Sequence, residues 1–131
     1  MSVLHTRDPD GCKVFYGAVF GWETESFATG AGDAQVELLR LPGYVGGETQ
    51  QPVPRDLVAV MVDMDSHGMP AELPPHWGVD FWIADVDAAA AKATELGGTV
   101  HVAPTDRPAF RQAALGDPAG AAFTVSQLRL P

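Results

Sequence analysis

The chain repeats one structural plan. The aspartates that open Asp8-Pro9-Asp10 and Asp85-Val86-Asp87 lie 77 positions apart, and Phe20-Gly21 and Leu96-Gly97 lie 76 apart. A period of that length is too long for a solenoid and suits a duplicated supersecondary module. In each copy an aspartate stands where a helix N-cap is wanted, and in the first copy Pro9 suits the opening turn. Cys12, Phe15, Tyr16, Val19 and Phe20 then recur at the spacing of one helical face, which predicts that this face packs on a core, and Gly21 supplies a stop. An alanine-rich segment running to Leu96 takes the same place in the second copy.

Strands are predicted at about 2–7, 22–28, 34–41 and 56–64 in the first copy, where Val58, Val60 and Val62 alternate as a half-buried strand requires. In the second copy they fall at about 77–83, 98–103, 110–115 and 120–128. The class is therefore α+β, two tandem β-α-β-β-β modules. Module 1 covers about 1–64 and module 2 about 77–131, with a polar, turn-rich linker over about 65–76. At 131 residues and 46% hydrophobic, the chain suits one domain with a sizeable core.

Eight Lys and Arg stand against 17 Asp and Glu, a net charge of -9, which opposes the phosphate neutralisation that drives nucleic-acid binding. Nucleic acids and anionic membranes are thus unsuitable partners. The single cysteine, Cys12, allows no internal disulfide; it sits on the apolar helical face and reads as core. Met1 to His5 lack the basic and long apolar stretches of a signal peptide, and no apolar run is long enough to span a bilayer, so a cytoplasmic location is expected. Gly43-Tyr44-Val45-Gly46-Gly47 is turn chemistry, since no phosphate-binding lysine follows it.

Thr6-Arg7-Asp8-Pro9-Asp10, Phe15-Tyr16-Gly17 and Val19-Phe20-Gly21-Trp22 resemble the opening of modules in the vicinal oxygen chelate superfamily, which includes glyoxalase I, extradiol dioxygenases and bleomycin-resistance proteins. Pro75-His76-Trp77, Ala84-Asp85-Val86-Asp87, Leu96-Gly97-Gly98 and Gly116-Asp117-Pro118-Ala119-Gly120 carry the same resemblance in the second half. It covers nearly the whole chain. It implies a curled eight-stranded mixed sheet around a cleft, with the helices outside and a small molecule in the cleft. It does not by itself imply an activity, because the superfamily ranges from isomerases to non-catalytic drug binders.

Strand parity then proposes a lining. In the strand at 77–83, Val79, Phe81 and Ile83 are uniformly apolar and are expected beneath the helix, leaving Gly78, Asp80 and Trp82 opposite. In the last strand Phe123 and Val125 fall on the core side, and Ala122, Thr124 and Ser126 opposite. Val3 and His5 hold the corresponding places in the first module. His5, Asp80, Trp82, Thr124 and Ser126 have the make-up of a small-molecule site, an aromatic surface with a few convergent polar groups. Glu37, Phe110 and Arg111 are further candidates, Arg111 either reaching an anionic ligand or forming a surface ion pair.

The resemblance places the metal ligands of metal-dependent relatives at about Met1, Gly78 and Thr124, none of which supplies a normal ligand. No metal of that type is expected; a displaced divalent site built from His5, Glu37, His76 and Asp80 is the alternative. His76 reads as a residue leading into its strand and capping a backbone group, His67 as solvent-exposed in the linker, and His101 as structural. If His5 and Asp80 are neighbours, the carboxylate would raise the imidazole pKa and make an acid–base pair. Otherwise Asp80 serves a ligand's hydrogen bonds or solvent while His5 packs.

The expected function is metal-free binding of an aromatic or apolar small molecule, drug sequestration or self-resistance being one instance, with a homodimer implied by the fold. The rival readings are a lyase, isomerase, cyclase or dioxygenase using His5 and Asp80 or a relocated metal, and a structural module whose cavity is filled by side chains.

Overall fold

A computed structural model describes residues 1–28, 35–47, 49–50, 54–107 and 110–129. It divides into two compact units, Ser2–Trp77, and Gly78–Pro131 together with Met1.

In the first unit, β1 (Ser2–Thr6) leads into α1 (Pro9–Phe20), followed by β2 (Glu23–Ala28), β3 (Gln35–Arg40) and β4 (Leu57–Asp63). The helix starts where the sequence places a cap: the Gly11 N–H donates to Asp8 Oδ1 at 3.0 Å. It ends at Gly21, whose φ of 73° is left-handed and whose N–H donates to the Gly17 carbonyl. The strands lie in the order β2-β3-β4-β1, with β1 parallel to β4 and the other pairs antiparallel. Leu4, Leu39, Ala59 and Met61 form the core, with Cys12, Tyr16, Trp22 and Val58 packed against it.

Two expectations are corrected here. Only Cys12 and Tyr16 of the apolar face of α1 reach the core; Phe15 is 58% exposed, and Val19 and Phe20 are exposed too. The cause is aromatic packing at the helix end. Tyr16 stacks on Trp22 with ring centroids 5.6 Å apart, and Phe20 rests on Trp22 at 4.8 Å instead of on the sheet. The second concerns His67, in the segment read as a linker. Arg7 donates to the Leu73 carbonyl at 2.6 Å, to the Pro70 carbonyl at 2.7 Å and to Asp65 Oδ1 at 3.1 Å, tying the segment to the end of β1. His67 is correspondingly half-buried, with Nδ1 2.9 Å from the Asp63 carbonyl.

The second unit takes most of β5 (His76–Trp82), then α2 (Val86–Glu95), β6 (Thr99–Arg107), β7 (Phe110–Gly116) and β8 (Ala122–Leu128). Asp85 caps α2, its Oδ1 accepting the Ala88 N–H at 3.0 Å. The order is β5-β8-β7-β6, with β5 parallel to β8. Val86, Ala90, Ala113, Leu115 and Val125 are buried, with Ile83, Val100 and Phe123 against them. Val79 and Phe81 depart from expectation and are exposed, because α2 lies over β6, β7 and β8 and reaches β5 only at its Ile83 end.

The class is α+β, with eight strands in mixed pairing and two helices among the described residues. Among the described residues, β2 is an edge strand in the first unit and β6 in the second. The strong curl expected of the strands is not a feature of either ladder. Among the described residues, no helix is long and apolar enough to cross a membrane.

Candidate functional site

The face of the second unit that α2 leaves uncovered carries a compact polar network beside an aromatic pair. Parallel register sets Asp80 of β5 opposite Thr124 of β8, and Trp82 opposite Ser126. Antiparallel register continues the rows to Ala114 and Gln112 on β7. Asp80 Oδ1 accepts two hydroxyls, from Thr124 at 2.6 Å and from Ser126 at 2.9 Å, and Gln112 Nε2 donates to Ser126 Oγ at 3.4 Å. Asp80 is only 6% exposed and Ser126 1%. A carboxylate buried to this extent needs donors, and the two hydroxyls supply them.

Two residues along the same strand face stands Trp82, 55% exposed, with the Phe110 ring edge-on at 6.3 Å. An open indole beside a fixed acceptor offers an apolar surface for binding and a polar group for orientation. Strand parity had placed Asp80, Trp82, Thr124 and Ser126 on one face, and the register brings them together with Phe110. Gln112 was overlooked, although the alternation Phe110, Gln112, Ala114 along β7 carries the signal.

Arg111 and Glu37 have ion-pair partners of their own. Arg111 points toward the helix side, where it donates to both oxygens of Asp87, at 2.8 and 3.0 Å, and to Asp106 at 2.9 Å. These bonds hold its guanidinium pKa above the ordinary value and that of Asp87 below. It is thus the ion-pair alternative that the geometry takes. Glu37 faces α1 and accepts from Lys13 at 3.2 Å and Ser26 at 2.9 Å.

His5, in the first unit, stacks on His76 with ring centroids 4.5 Å apart. The Nδ1 of His76 lies 2.8 Å from the Pro74 carbonyl, the backbone cap expected of it. The Nδ1 of His5 is buried with no hydrogen-bond partner among the described residues. Its pKa falls to about 4, first through burial and then through the neighbouring His76 and His67, so the shift runs opposite to the rise expected from an adjacent carboxylate.

The lowered pKa predicts a pH dependence. Above pH 6.5 His5 is neutral both folded and unfolded, and its contribution is intact. As the pH falls from 6.5 towards 4, the unfolded chain takes up a proton that the folded one refuses, so stability falls. With the ring partly exposed, the loss is on the order of 1 kcal/mol. Urea unfolding at pH 7 and pH 4.5 should show this decrement in the wild type and a smaller one in His5→Gln. Equal decrements in the two proteins would contradict the assignment.

A metal like that of the metal-dependent relatives does not fit these residues. Among the described residues no three His, Cys, Asp or Glu side chains gather as a metal requires. Gly78 has no side chain, the Thr124 hydroxyl is committed to Asp80, and His76 turns one ring nitrogen to a backbone carbonyl.

Comparison with known proteins bears on both fold and family. The chain is 37% identical over 123 residues, 93% of its length, to "Putative glyoxylase CFP32" of Mycobacterium tuberculosis, and it spans 41% of that protein. It is 47% identical over 62 residues, 47% of its length, to the anthracycline biosynthesis protein DnrV of Streptomyces peucetius, spanning 22% of that protein. The chain thus covers less than half of the curated relatives it matches. In fold it is similar to the crystal structure of an NAD-dependent benzaldehyde dehydrogenase from Legionella pneumophila, with a TM-score of 0.62 at 11% identity over 98% of this chain and 97% of that one. The glyoxalase-like domain family matches residues 1–126, and the chain belongs to that family.

Proposed function

We propose that this domain binds a small aromatic or apolar molecule without a metal, on the face formed by Asp80, Trp82, Phe110, Thr124 and Ser126. One observation carries the reading: a solvent-exposed indole lies on the same strand face as a buried carboxylate held by two hydroxyls. A side-chain-filled structural module has no use for that combination, since a buried carboxylate costs free energy that an apolar residue would not. The anthracycline biosynthesis protein among the relatives supports an aromatic ligand, and sequestration of such a molecule, as in self-protection against a drug, is the role we favour. A homodimer in the cytoplasm is part of the same proposal.

Acid–base catalysis by His5 and Asp80 has less support. With its pKa near 4, His5 is neutral at pH 7 and a weak base, whereas a catalytic base works best with a pKa near the operating pH.

The test is native mass spectrometry with elemental analysis of protein purified without chelator or metal-affinity resin. A co-purified organic mass with far less than one equivalent of zinc, iron, nickel or manganese is the expected result. A near-stoichiometric metal that survives dialysis would contradict the metal-free reading.

A further inference from the structure

Resting on the proposed binding face, we infer that its ligand carries a hydrogen-bond donor, a hydroxyl or better an ammonium group, which Asp80 Oδ2 accepts while the ligand's rings lie on Trp82. The direction of the network leads to this. Thr124 and Ser126 both give their hydroxyl hydrogens to Asp80 Oδ1, and the Gln112 amide points at Ser126. The donors at the centre of the face are therefore committed to one oxygen. No described residue donates to Oδ2. Oδ2 is thus the acceptor of the network with a place left for a donor, on a residue that is 6% exposed.

A site of this kind discriminates by charge and by hydrogen. A carboxylate oxygen makes its strongest bonds with cationic donors, and it repels an anionic group brought to the same place. The chain's net charge of -9 acts in the same direction, but only as a diffuse field that salt removes. A preference arising from contact with Asp80 survives salt; one arising from net charge does not. The indole of Trp82, two residues along the same strand face, adds a cation–π surface for an ammonium group beside an aromatic body.

The experiment compares 1-naphthylmethylamine, 1-naphthol and 1-naphthoate, three probes with one ring system and a cationic donor, a neutral donor and an anion. Binding is followed by amide chemical shifts at pH 7 in 0.5 M NaCl. The wild type should bind the amine at least about tenfold more tightly than the naphthoate, with the naphthol between them. Asp80→Asn keeps an acceptor for the two hydroxyls and puts an NH2 where Oδ2 was, so the preference should shrink to about threefold or less, or reverse. Asp10→Asn, an equal charge change on exposed α1, should leave it intact.

Naphthoate binding as tightly as the amine in the wild type would overturn the inference, and this comparison needs no variant to fold. A preference undiminished in Asp80→Asn would overturn it too. In either case, signals of Trp82 and Phe110 that still move on binding leave the proposed function standing. If no probe moves them, the function reading fails and this inference with it.

Discussion

Leu39→Ala is expected to lower the unfolding free energy by about 3 kcal/mol, within the range for large-to-small changes in a packed core. Leu39 is 1% exposed and sits on β3 among Leu4, Ala59 and Met61. Its substitution removes several methyl and methylene groups and leaves a void that neighbours held on β1 and β4 fill only in part. α1 gives little relief, because only Cys12 and Tyr16 reach this core from the helix. Urea denaturation should show a lower midpoint with an unchanged slope. A loss below about 1 kcal/mol would mean that the first unit is packed differently from the arrangement described above.

The elements were largely legible because their signals are local. Asp8 and Asp85 accept N–H bonds from residues three positions on, and Gly21 adopts the left-handed conformation a helix stop requires. The grouping of Asp80 with Thr124 and Ser126 followed from alternation in two strands whose other faces are plainly apolar. Where alternation is masked, the sequence gives no direction for a side chain. Leu38 and Leu39 are both buried, so β3 has no distinct polar face from which to deduce that Glu37 turns toward Lys13. Arg111 does alternate with Phe110, but its destination depends on Asp87 and Asp106 from two other elements.

Two features lay beyond any local pattern. The exposed side of α1 depends on Trp22 taking the contacts that Phe20 would otherwise make, a matter of three-dimensional packing between rings. The lowered pKa of His5 depends on burial and on two histidines more than 60 positions away in the chain, which no local pattern in the sequence reveals. The polar network was easier to anticipate than the histidine pair because adjacent strands hold it in register.

The central claim, a ligand face built around an open indole, is tested most directly by Trp82→Ala. The side chain is 55% exposed, so the fold loses little when it is removed, while a ligand lying on it loses its aromatic platform. An aromatic anchor that a ligand covers carries about 2 kcal/mol or more of binding free energy, about a thirtyfold change in Kd. The measurement is titration of the wild type and Trp82→Ala with 1-naphthylmethylamine by calorimetry, with amide spectra of both free proteins recorded alongside. Superimposable spectra are expected except around residues 80–84 and 110–112, with affinity reduced about thirtyfold or lost. Equal affinity in two folded proteins would remove Trp82 from the site and contradict the account.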